Sequence, residues 1–166
     1  MVRDGLLKVA EEMPKYFGVE DKNLEKTAAL NEEIKKNQYT DRDLLKIAYV
    51  NVLTALDMLK TYRNTTEELQ DIMEKDAEYA KKMYEETGYL TKVAEYLAKN
   101  LKEHELKDVA KAIDIMEKTA AEYMEREGYT GERGRLHAHI ELFGTAEDLI
   151  KEAAYDMLVV GKNIKY

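Results

Sequence analysis

The residues best suited to chemistry lie in one short run, Thr130-Gly131-Glu132-Arg133-Gly134-Arg135-Leu136-His137-Ala138-His139. It holds two of the chain's three histidines and places two arginines where the apolar spacing predicts a helix start. Free amide groups and the positive dipole end of a helix attract anions there, and glycines let a ligand approach the backbone. Gly131, Arg133, Gly134, Arg135 and His137 are therefore candidate anion- or phosphate-binding residues. Arg133 and His137 are four apart and share a helix face. His139 falls beside Leu136, Ile140 and Phe143, which predicts partial burial. The competing reading makes the arginines solvated charges and His139 a packing residue.

Other chemistries are limited by composition. Without cysteine there is no disulfide, no thiolate nucleophile and no thiolate metal site. A carboxylate-bridged metal pair in a helical bundle needs Glu-x-x-His on one face. The residues three before His104, His137 and His139 are Leu101, Gly134 and Leu136. Asp57, an acid in an otherwise apolar stretch, has no partner visible along the chain. Neither a metal nor a cofactor is expected. A net charge of −8 argues against nucleic acid as a partner, since neutralising phosphates takes clustered Lys and Arg. No apolar run approaches the roughly 18 residues of a membrane span, and the start of the chain lacks a secretory pattern. The expected location is cytoplasmic, and the Lys- and Glu-rich, cysteine-free composition leans toward a thermophile.

The elements that must position these residues read as helices throughout. One proline (Pro14) and eight glycines interrupt a chain dominated by Ala, Leu, Glu and Lys, the residues that lose least in a helix. Apolar stripes predict helices over 4–17 and 21–36, the second thin and peripheral. A third, starting at the Thr40/Asp43 capping signature, is apolar nearly all round from Leu44 to Tyr62 and is expected at the centre of the fold. A Thr65/Glu68 signature opens a fourth helix stopping at Gly88. A fifth begins at Leu90, and its stripe breaks after Leu101, which places a turn near 103–107; no Gly or Pro forces it, and one long bent helix over 89–127 is the competing reading. A sixth ends at Gly128, a seventh spans about 131–143, and Thr145/Asp148 opens a last helix stopping at Gly161. The fold class is all-α, a single domain over 1–166 of seven or eight antiparallel helices, as stacked hairpins or a compact bundle. The hairpins would span about 3–38, 40–88, 89–128 and 129–161.

Asp71-Ile72-Met73-Glu74-Lys75 recurs as Asp114-Ile115-Met116-Glu117-Lys118, and each copy precedes a Gly-Tyr pair, Gly88-Tyr89 or Gly128-Tyr129. A period near 40 residues fits stacked helical hairpins. The stretch from Leu97 to Met124 resembles one tetratricopeptide repeat, with Ala112, Met116 and Thr119 at that family's small, large and small positions. The resemblance implies a protein-binding helical stack. Arg133 followed by five residues and His139 is similar to the Arg-to-His signature of the HEPN family of helical ribonucleases and toxin components. That likeness implies Arg133 and His139 as catalytic groups acting on RNA phosphate, although Gly134 stands where the family carries a polar residue.

These observations favour a non-catalytic helical interaction or scaffold module whose partner is another protein or a second copy of itself. The alternative is a HEPN-like ribonuclease or a nucleotide-phosphate binder centred on Arg133, Arg135, His137 and His139. Tyr39, Tyr89, Tyr129 and Tyr166, at turns or the terminus, are the expected exposed contacts.

Overall fold

The computed structural model describes residues 2–19, 21–65, 71–72 and 74–164. Among them are seven helices and no strand: α1 (Val2–Tyr16), α2 (Leu24–Lys35), α3 (Asp41–Thr65), α4 (Ala77–Lys99), α5 (Glu103–Glu127), α6 (Gly131–Phe143) and α7 (Ala146–Asn163). The chain is all-α, as its composition predicts. It closes as a bundle, because α7 packs against α1, α2 and α3 while α3 packs against α4, α5 and α6. No helix among the described residues is long and apolar enough to cross a membrane.

Two helices share the centre. α3 buries Leu45, Ala48, Val52 and Ala55 completely or nearly so, as expected of a helix with so narrow a polar strip. α7 is more deeply enclosed: every residue from Ala153 to Gly161 is buried. α2 is peripheral, with Ala28 its one buried residue, and Leu30 and Ile34 face outward.

Two of the three predicted caps form as reciprocal pairs. The Thr40 amide donates to Asp43 Oδ2 at 3.0 Å while the Asp43 amide donates to Thr40 Oγ1 at 3.1 Å. Thr145 and Asp148 do the same at 3.2 Å each. Each satisfies amides that a helix start leaves without partners. The third, Thr65 with Glu68, involves residues 66–70, which lie outside the described residues.

Three sequence boundaries need correction. Gly88 lies inside α4, so the fourth predicted helix from Ala77 onward and the fifth are one helix capped by Asp76, and a hairpin division at 88/89 falls in mid-helix. Gly161 lies inside α7. A Cβ there would come within 2.9 Å of the Leu7 side chain, so this glycine permits close packing on α1 and is no stop. The turn after α4 lies at 100–102, ahead of the expected 103–107. The polar run is used to open α5: Glu105 accepts the Lys102 amide at 2.8 Å and pairs with Arg42 from α3. Gly128 does end its helix, in the left-handed region at φ 77°. The two five-residue copies each carry an Asp-to-Lys pair at 3.0 Å. The first nevertheless precedes the start of α4 while the second lies in the middle of α5.

Candidate functional site

The predicted helix start forms as α6, but its charged residues do not converge on an anion. Arg133 is exposed. Gly134 has no room for a ligand, since a Cβ there would meet the Tyr129 backbone at 3.1 Å. His137 Nε2 lies 2.7 Å from Glu141 Oε1 and meets the Tyr129 ring edge-on at 4.6 Å. Gly131 takes φ 71° at the helix start. Six residues turn an α-helix through about 600°, so Arg133 and His139 point about 120° apart. His139 is 2% exposed, and the structure does not bring these two side chains together.

Arg135 and His139 instead join two acids that come from far along the sequence. Arg135 Nη2 donates to Glu117 Oε1 at 2.7 Å and to Asp57 Oδ2 at 2.8 Å, and its Nε donates to Glu117 Oε2 at 3.0 Å. Hydrogen bonding to Glu117, joined by Asp57 and opposed by burial, pushes the guanidinium pKa up. Burial would raise the Glu117 carboxyl, but Arg135 and His139 outweigh it and hold it below its ordinary value. His139 Nδ1 lies 2.9 Å from the Arg135 carbonyl oxygen, and its Nε2 lies 3.1 Å from Glu117 Oε1. Its ring also meets Phe143 edge-on at 5.6 Å.

The sequence reading that left Asp57 without a partner is overturned. Asp57 occupies the polar strip of α3, Glu117 comes from α5, and Arg135 and His139 stand one turn apart on α6. The bundle brings three helices to one point, at the end of a cavity of about 290 Å³ with Leu53, Ile113 and Met116 among its apolar walls. For Asp57, a lone acid in a buried helix was the signal available. Its partners, 60 and 78 residues away, could not be read without the packing.

A second concavity of about 380 Å³ precedes this one on the same helices. Ile47, Val50, Val109 and Ala112 form its apolar floor, with Tyr39, Asp43, Lys46 and Asp108 around it. Its contacts advance together along α3 and α5. Arg42 pairs with Glu105, Lys46 with Asp108 at 3.1 Å, and Asp57 meets Glu117 through Arg135. The two helices therefore run parallel, and the concavities follow one another along their seam. From Asp43 to Asp57 the seam covers about 21 Å, close to four helical turns.

Of the tyrosines expected at the surface, Tyr39 is 41% exposed. Tyr89 stacks on Tyr16 with ring centroids 4.1 Å apart, and Tyr129 packs against His137, so both are half-buried. Tyr166 lies outside the described residues. Compared with known proteins, the chain matches no family model, no curated protein and no solved structure.

Proposed function

We propose that the protein is a non-catalytic helical interaction module whose binding face is the α3/α5 seam. The observation that carries this reading is the groove with the Ile47, Val50, Val109 and Ala112 floor, on the surface of a chain in which 36% of residues are charged. Exposed Tyr39 lies at its edge, and Ile115, 64% exposed, lies one turn beyond Ala112. An apolar groove between parallel helices suits an amphipathic helix, whose stripe at i, i+3, i+4 and i+7 repeats along the same length. The seam's four turns match an occupant of about 14 residues.

The test is affinity capture from the source organism with the tagged full chain, wild type beside Ala112→Glu and Ile34→Glu. Ala112 is half-buried in the groove and Ile34 is exposed on α2, so both variants place a charge where the fold tolerates it. The expected outcome is a partner retained by Ile34→Glu and lost by Ala112→Glu. Loss through Ile34→Glu with retention by Ala112→Glu would move the binding face to α2 and overturn the assignment. If the captured partner is the chain itself, the groove serves self-association.

A further inference from the structure

Asp57, Glu117 and His139 each offer a ligand atom within 4.8 Å of the other two. The His139 ring is held through both of its nitrogens. A carbonyl oxygen only accepts, so the 2.9 Å contact to the Arg135 carbonyl requires the proton on Nδ1. The other nitrogen, Nε2, faces Glu117 Oε1 at 3.1 Å. A proton on Nε2 bridges that contact, and a cation bound by the Nε2 lone pair and the carboxylate would bridge it in the same place. Holding the distal nitrogen on a backbone carbonyl is also how proteins fix a metal-binding histidine in the right tautomer.

The His139–Glu117 spacing suits a metal, and Asp57, within 4.8 Å of both, would close in by up to about 1.5 Å. Two donors bonded to zinc at about 2.0–2.1 Å in a tetrahedral arrangement sit about 3.3 Å apart, near the observed 3.1 Å. One imidazole and two carboxylates favour a first-row transition ion over magnesium or calcium. Three protein ligands would leave a coordination position free, and all three residues line the cavity of about 290 Å³. Arg135 occupies the cation's place, bridging both carboxylates with one nitrogen. It has an alternative partner in Glu132, 3.9 Å away and 65% exposed, toward which its side chain can swing.

We propose that Asp57, Glu117 and His139 bind a divalent transition-metal ion, with Arg135 the resident counter-cation that yields when the ion enters. This site is independent of the protein-binding reading, since it needs no partner.

The experiment is calorimetric titration of the full chain with Zn²⁺, repeated with Co²⁺, whose visible absorption reports nitrogen and oxygen coordination. Wild type is expected to take up one ion. Arg135→Gln should bind about tenfold tighter or more, because the competing charge is gone. Glu117→Gln and Asp57→Asn should bind about tenfold weaker or worse, a loss that even an outer-shell change produces. His137→Ala should leave this site unchanged, and it is needed because His137 and Glu141 form a second pair at 2.7 Å. Thermal melts with and without chelator establish that each variant folds, and binding should raise the melting temperature of wild type but not of Glu117→Gln. The proposal is overturned if wild type and Arg135→Gln both bind more weakly than about millimolar. Uptake that survives Glu117→Gln and disappears in His137→Ala overturns it too, as does a nitrogen-15 spectrum in which His139 Nε2 keeps a proton in saturating Zn²⁺. That last result would mean that only a proton bridges the contact.

Discussion

Replacing Arg42 by alanine isolates the clamp that joins the start of α3 to the start of α5. The Glu105 side chain is 4% exposed. It accepts from Arg42 through both carboxylate oxygens, Nε at 2.9 Å and Nη2 closer still, and from the Lys102 amide at 2.8 Å. Arg42 Nη2 also reaches the Asn100 carbonyl at 3.0 Å. These bonds, Arg42 first, hold the Glu105 carboxyl down to about 2 from 4.5 against the effect of burial. A shift of that size corresponds to at most about 3.5 kcal/mol, at roughly 1.4 kcal/mol per unit. Arg42 is 47% exposed, so solvent screens its side of the pair and the expected loss in Arg42→Ala is about 2 kcal/mol at neutral pH. The pH dependence has a definite sign. A depressed folded-state pKa gives stability that is full above about 4.5 and lost as the pH falls toward about 2. Wild type and variant should therefore differ by about 2 kcal/mol at neutral pH and converge in acid. Urea unfolding followed by circular dichroism, from neutral pH to about pH 3, measures both quantities, with Glu105→Gln and the double variant completing a cycle. A difference below about 0.5 kcal/mol, or one that persists unchanged in acid, would refute the clamp.

Asp156 carries the opposite pH signature. Burial pushes its carboxyl up to about 6 despite the Lys35 ammonium 3.2 Å away. For Lys35, burial lowers the ammonium but Asp156 and Glu152 together leave it raised. The two shifts disagree on whether the ion pair is favourable; at 1% exposure the carboxylate's burial decides. A folded-state pKa raised above 3.8 means stability falls as the pH rises from about 4 to about 6. Asp156→Asn should flatten that slope by up to about 3 kcal/mol in melts across this range, and an unaltered slope would contradict the assignment. The same residue type gives opposite outcomes at Gly88 and Gly128. Gly88→Ala, in mid-helix with open space around it, should stabilise by about 0.5–1 kcal/mol. Gly128→Ala, forced into a left-handed conformation, should cost about 1–2 kcal/mol. Chemical denaturation separates them, and effects of the same sign would show that one helix boundary is wrong. Gly161→Leu forces a side chain into the space of Leu7 and should cost about 1–3 kcal/mol or more, whereas a neutral melt would mean that α1 does not press on α7 there.

The sequence made local features legible because their causes are local. Thr40 and Asp43 cap each other across three residues, and Gly128 supplies a backbone conformation that other residues avoid. The apolar surround of α3 announces burial whatever lies against it. The failures share a cause as well. Gly88, Gly128 and Gly161 are one letter with three roles, and only neighbours separate an open helix interior, a left-handed stop and a tight approach between helices. The repeated five residues form the same Asp-to-Lys helical pair twice, so the repetition reported local structure and not equivalent places in the bundle. In the candidate site Arg135 and His139 stood out by residue type, but where an anion was expected at the helix start Arg135 meets the carboxylates of Glu117 and Asp57. That meeting depends on α3 and α5 running parallel, which no spacing along the chain encodes. The parallel pairing also creates the groove, whose floor residues had read simply as core.

The claim that the α3/α5 groove is the binding face is tested most directly by site-specific photocrosslinking in the source organism. With Ala112 replaced by a photoreactive phenylalanine, the account predicts one dominant protein adduct on irradiation. With the same replacement at Lys82, exposed on α4, it predicts none. An adduct from Lys82 as strong as that from Ala112, or no adduct from Ala112 in a chain shown to be folded, would contradict it.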